Sequence, residues 1–246
     1  MVRNPYYPEQ VTRYVLNPSV VDVLVFCTKN PQPMISRLER LSTYDMFWFV
    51  TITPYGREIE PFVPPKEKVI ESFRQLSEMT GREKMSWRYD PVFITEKYSV
   101  DYHIACFAEM TEKLRGYTGQ CVVSFLDLYE KTKRNFREAR GVTRDEQERI
   151  IEAFAGIAEA NGMQVPKKKT AREACSCLLG ADIDVYNTCG HGCLYCYANY
   201  DRKSVEENRK RHDVNSPLLI GHLKETDHVK EAQQKSFKDA QMRLFL

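Results

Sequence analysis

Three short apolar runs punctuate the first half of the chain: Val21-Asp-Val-Leu-Val-Phe-Cys27, Met46-Phe-Trp-Phe-Val-Thr-Ile52 and Gln120-Cys-Val-Val-Ser-Phe125. Each is rich in β-branched and aromatic residues and too short for a buried helix, so each predicts a buried strand. A weaker strand is predicted at Lys84 to Arg88. The segments between them follow a helical period instead. Val69, Ile70, Phe73 and Leu76 fall on one face behind Pro64 and Pro65, which punctuate the entry. Residues 98 to 115 place Ile104, Phe107 and Leu114 inward. A third stripe of Ile150, Ile151, Phe154, Ile157 and Ala158 follows a capping box of Thr143 and Glu146. Strands alternating with helices predict an α/β fold with a parallel sheet, open or closed into a partial TIM-barrel-like arc.

From Val165 the pattern changes. Pro166-Lys-Lys-Lys-Thr170 is a polar connector, followed by Cys175-Ser-Cys177, a second cysteine group, and a stretch rich in Lys, Glu, Gln and Asn. Those mixed charges predict a solvated linker rather than a nucleic-acid contact. Val229, Phe237, Met242 and Leu244 are spaced along Thr226 to Phe245 as in a marginal helix that persists only when docked. The chain therefore divides into an α/β domain, 1–165, and a Cys-rich loop with a helical tail, 166–246.

The 246 residues, 42% of them hydrophobic, suffice for one substantial core. Thirty-six basic against 34 acidic side chains leave a net charge of +2, which excludes a global pull toward nucleic acid or anionic membrane. No apolar run approaches the length of a membrane span, and Met1-Val-Arg-Asn-Pro5 has no apolar core of a signal peptide. The expectation is a cytoplasmic protein with no membrane partner. In a reducing compartment the eight cysteines do not form a disulfide framework, and five of them crowd into residues 175 to 196. That crowding points to metal.

In parallel α/β folds ligands sit beyond the carboxyl ends of the strands. Lys29 and Asn30, Thr51 and Thr53, Arg88 and Asp90, and Ser124 and Asp127 occupy those ends and are candidate pocket residues. The same residue types also make turns and helix caps.

The sharpest signal is Cys189-Gly-His-Gly-Cys193-Leu-Tyr-Cys196. Three thiolates at this spacing can hold one face of an iron–sulfur cube and leave the fourth iron without a protein ligand. Gly190 and Gly192 suit such a loop, because glycine reaches backbone angles closed to other residues. Cys189, Cys193, Tyr195 and Cys196 resemble the cluster signature of radical S-adenosylmethionine (SAM) enzymes, and the run Tyr186 to Asn199 is similar to spore photoproduct lyase-like proteins. It is most similar to the family called domain of unknown function 1848. That likeness extends to Val2–Tyr6, Phe26–Pro31, Trp87–Pro91 and His212–Pro217.

The resemblance implies a [4Fe–4S] cluster on Cys189, Cys193 and Cys196, with SAM on the open iron. It further implies reductive cleavage of SAM to a 5′-deoxyadenosyl radical acting on an unknown small molecule or nucleic acid, with flavodoxin or ferredoxin as electron donor. Tyr195, Asn199, Lys29, Asn30, Arg88 and Asp90 are the residues assigned to SAM. Cys175 and Cys177 are open to three roles: a second metal site, an extra cluster ligand, or a four-thiolate zinc site with two later cysteines. The alternative function is a non-catalytic binding or regulatory protein stapled by structural zinc or an iron–sulfur knot.

Cys27, Cys106 and Cys121 are expected in the core, His191 beside the metal or in solvent, and His212, Asp213, Asn215 and Ser216 in a turn before Pro217. The cysteine loop follows nearly all the strands, so the barrel is permuted or the loop folds back over its mouth. Members of the resembled family carry a further N-terminal segment. The chain as given is thus expected to lack a first strand and to expose an edge at Val21–Cys27.

Overall fold

The computed structural model describes residues 1–128, 130–165, 180–236 and 238. Its strands are β1 (Val2–Arg3), β2 (Gln10–Arg13), β3 (Leu24–Thr28), β4 (Met46–Thr51), β5 (Met85–Val92), β6 (Cys121–Phe125) and β7 (His228–Glu231). Its helices are α1 (Gln32–Ile35), α2 (Lys66–Thr80), α3 (Val100–Leu114), α4 (Glu130–Asn135), α5 (Arg144–Ala160) and α6 (Arg202–Lys210). All four predicted strands and the three helices predicted within residues 1–165 are present.

Strands β3, β4, β5 and β6 form one sheet in that order, every pair parallel. The fold is therefore α/β around a four-stranded parallel sheet. Parallel strands cannot be joined by tight turns, so helical crossovers cover the sheet and bury its residues. Trp48, Val50, Trp87, Tyr89 and Cys121 are fully buried, and α2, α3 and α5 add their apolar stripes to the same core. Rings continue the packing from sheet to helices. Trp87 stacks on Phe107 at 4.9 Å, and Phe107 stacks on Phe154 at 3.8 Å, which joins β5, α3 and α5. The capping box is formed: Thr143 Oγ1 accepts from the Glu146 amide, and Glu146 accepts from the Thr143 amide at 3.0 Å.

β3 has β4 as its one sheet neighbour among the described residues, and Val25 on it is 45% exposed. This overturns one expectation. Cys27 lies on the open face of the edge strand and is exposed, while Cys106 is half-buried and Cys121 fully buried. At the other end of the sheet, the β5–β6 register shifts between Tyr89 and Val92, where Pro91 has no amide proton for the ladder.

A second sheet escaped the sequence pattern. β1 pairs antiparallel with β2, and β2 pairs parallel with β7, so residues near 10 lie against residues near 230. Asp227, just before β7, accepts both nitrogens of the Arg3 guanidinium fork at 2.6 Å. The expected helix from Thr226 is corrected here, since His228–Glu231 is a strand. A marginal helical stripe yields when backbone groups find a ladder partner instead. Phe237, Met242 and Leu244 of that expectation, like Cys175 and Cys177, lie outside the described residues. Among the described residues no helix is long and apolar enough to cross a membrane.

Candidate functional site

The carboxyl end of β4 runs into a long connection to α2, and this connection receives the cysteine loop. The Leu194 amide donates to Ile59 O at 3.0 Å, and the Phe62 amide donates to His191 O at 3.1 Å. Beneath these bonds a second apolar cluster of Tyr55, Ile59, Phe93, Tyr98, Phe136 and Tyr195 takes in Cys193 and Leu194. The loop is closed on itself by Asn187. Its left-handed backbone (φ 59°) lets its amide reach Ala198 O at 3.0 Å, and Asn208 of α6 holds the Asn187 carbonyl at 3.1 Å.

Gly192 also has a left-handed backbone (φ 68°), and an added Cβ would come within 3.0 Å of the Phe62 ring. Phe62 is half exposed and can yield, so the backbone term dominates. Gly192→Ala is expected to cost about 1–2 kcal/mol. Urea unfolding of the two proteins measures it, and an unchanged midpoint refutes the assignment.

The most unusual group at this end is Glu60, 2% exposed and absent from the sequence-derived candidates. Its carboxylate accepts from Lys29 Nζ at 2.9 Å, Thr53 Oγ1 at 2.7 Å, Lys66 Nζ and the Tyr195 hydroxyl. Burial opposes its ionisation, but the Lys29 and Lys66 ammonium groups and the Tyr195 hydroxyl outweigh burial and hold its pKa down at about 2. Burial in turn lowers the Lys66 pKa and raises those of Tyr195 and Cys193, the last to about 12. A charged residue within Ile59-Glu-Pro-Phe-Val63 was the available signal, because a carboxylate in an apolar run is rarely buried without partners.

Lys29 and Thr53 thus meet Tyr195 in one network, with Lys29 Nζ 5.6 Å from the Tyr195 ring centre. Arg88, Asp90 and Ser124 form another: Arg88 pairs with Asp90 at 2.7 Å, and the Ser124 hydroxyl donates to Asp90. Arg88 also reaches Cys27 Sγ at 3.8 Å. Asn30 instead closes a turn, its amide donating to Thr28 Oγ1 at 3.0 Å. Thr51 is half-buried on β4, and Asp127 is exposed. The Asn199 amide group donates to Cys189 O at 2.7 Å and braces the loop from within. The His212–Pro217 turn is present, with the Asn215 amide donating to Asp213 Oδ1 at 2.9 Å.

Of the three loop cysteines, Cys189 is exposed and Cys193 and Cys196 are half-buried. Each has a cation or an imidazole nearby. Lys29 and Lys66 act on Cys193, Lys131 on Cys196, and His191 Nδ1 lies 3.4 Å from Cys189 Sγ. Three thiols among basic groups match in kind the donors that soft metals and iron–sulfur clusters take. Among the described residues, no three His, Cys, Asp or Glu side chains are arranged to hold a metal ion.

These features define an α/β protein with a four-stranded parallel sheet, in which residues 191–195 bond to the connection that follows β4. The chain belongs to the family described as Domain of unknown function (DUF1848), whose profile matches residues 1–167 and 163–198. No curated protein and no solved structure matches it.

Proposed function

We propose that this protein is an iron–sulfur enzyme of the radical SAM type, with Cys189, Cys193 and Cys196 as ligands of a [4Fe–4S] cluster. The observation that carries the reading is the docking of the three-cysteine loop over the ligand-binding end of the sheet, through Tyr195 and Glu60. The sheet order supports an arc of a barrel. Strands in unbroken sequence are barrel-like, whereas a doubly wound sheet reverses its order at a switch point. Free thiols do not attract one another, so on this reading Cys189, Cys193 and Cys196 would converge only as the cluster binds.

When bound, the cluster supplies the electron for reductive cleavage of SAM. The protein's own residues position and shield. Tyr195 and Glu60 seat the loop, Asn199 braces it, and the partly exposed Arg88–Asp90 pair offers charged groups for the amino and carboxylate ends of SAM. Flavodoxin or ferredoxin is the proposed donor, and the substrate is a small molecule or nucleic acid.

Anaerobic reconstitution tests the reading. Roughly four irons and matching sulfide per chain are expected, with both lost in Cys193→Ala. Reduced protein is expected to convert SAM to methionine and 5′-deoxyadenosine. Colourless protein with one zinc, or intact SAM over a fully reduced cluster, would favour a non-catalytic metal-stapled protein instead.

A further inference from the structure

Cys193 and Cys196 stand at the two ends of one hydrogen-bonded turn, the Cys196 amide donating to Cys193 O at 3.1 Å. A turn of this kind holds its first and fourth Cα atoms within about 7 Å. A disulfide needs Cα atoms about 4.4–6.8 Å apart, so the backbone already lies near the spacing that a bond between these two residues requires.

Both middle residues of the turn are fixed from outside it. Ile59 O holds the Leu194 amide, and Glu60 holds the Tyr195 hydroxyl. The turn is thus kept by contacts within the protein. Cys189 lies outside the turn, exposed, with His191 Nδ1 3.4 Å from its sulfur and its carbonyl tied to Asn199. All three cysteines are free thiols.

We infer that Cys193 and Cys196 are a reversible oxidation site, which closes into a disulfide by exchange with a small-molecule disulfide. Cys193 packs against an apolar cluster that does not take in Cys196, so Cys196 is the first to react. Its thiolate attacks the small disulfide, forms a mixed disulfide and releases one thiolate. The Cys193 thiolate then attacks the Cys196 sulfur and releases the second. Two electrons pass from the protein dithiol to the small disulfide, and the two protons leave on the released thiols. The second step outruns another external attack, because a formed turn has little loop-closure entropy left to lose. In the closed form Cys189 is the one thiol left among the three, so oxidation withdraws two of the three donors that the iron–sulfur reading needs. The disulfide itself does not rest on that reading.

The test treats the 246-residue chain, reduced and stripped of metal with a chelator, with a series of oxidised-to-reduced glutathione ratios, and maps the product with chymotrypsin. Cleavage after Leu194 or Tyr195 falls between the two cysteines, so their bond joins two peptides that separate on reduction. A Cys193–Cys196 link is expected, lighter by two hydrogens and reversed by dithiothreitol. It is expected at a lower ratio in the folded chain than in urea. A lasting glutathione adduct, a bond from either residue to Cys189, or intact thiols at every ratio overturns the inference. An equal ratio in urea assigns the bond to sequence spacing alone and overturns the role of the turn. Iron is counted separately on reduced, reconstituted protein. Roughly four irons without the disulfide sink this inference and leave the cluster reading standing, and the disulfide without iron does the reverse.

Discussion

Glu60→Ala is expected to cost about 3–5 kcal/mol, because it leaves the ammonium groups of Lys29 and Lys66 under the loop without their shared anion. In a domain of this size that corresponds to a fall of roughly 10 °C in the thermal midpoint. Tyr195 loses its acceptor in the same step, so the cysteine loop is expected to loosen and, on the proposed iron–sulfur reading, to lose its iron. Glu60→Gln keeps the shape but not the charge and should fall between the two. Thermal unfolding and iron retention after gel filtration measure both effects. A midpoint within a degree or two of wild type would mean that the network is dispensable. The pH window follows from the sign. A carboxylate held at about 2, below its ordinary 4.5, adds stability above pH 4.5 and loses it as the pH falls toward 2.

His103 is expected to govern a separate, milder acid window. It is fully buried on α3, with Nδ1 2.8 Å from the Tyr89 hydroxyl and Nε2 2.9 Å from Phe93 O. Because a carbonyl only accepts, Nε2 carries the proton and Nδ1 accepts from Tyr89. Burial lowers its pKa to about 4, from 6.5. The unfolded chain then takes up the proton first, so stability is complete above pH 6.5 and falls by roughly 3 kcal/mol as the pH drops to 4. His191, lowered mainly by burial, adds to the same slope. Urea unfolding at pH 7 and pH 5 should show a smaller difference for His103→Gln than for wild type. Equal differences would remove His103 from the account.

The positions of several candidate residues were legible in the chain, and what was missed has a common cause. Lys29, Thr53, Arg88, Asp90 and Ser124 were found because strand ends in a parallel sheet face one side, so periodicity alone places them. Glu60, Lys66 and Lys131 were not found, because they lie beyond strand ends and outside any motif. His103 left a signal that went unused. It shares the inward face of 98–115 with Phe107 and Leu114, where a polar side chain must have partners.

The sequence by itself determined the four parallel strands, the three long helices with the capping box at Thr143, and the cysteine spacing. These depend on local periodicity and on residues close together in the chain. Only the tertiary structure decided that Tyr195 would meet Glu60 across 135 positions, that β2 would pair with β7, and that Cys27 would face outward from an edge strand. Strands of two to four residues carry too little pattern to announce themselves. A buried charge network exists only once distant segments have met, because each charge is tolerated only in the presence of the others.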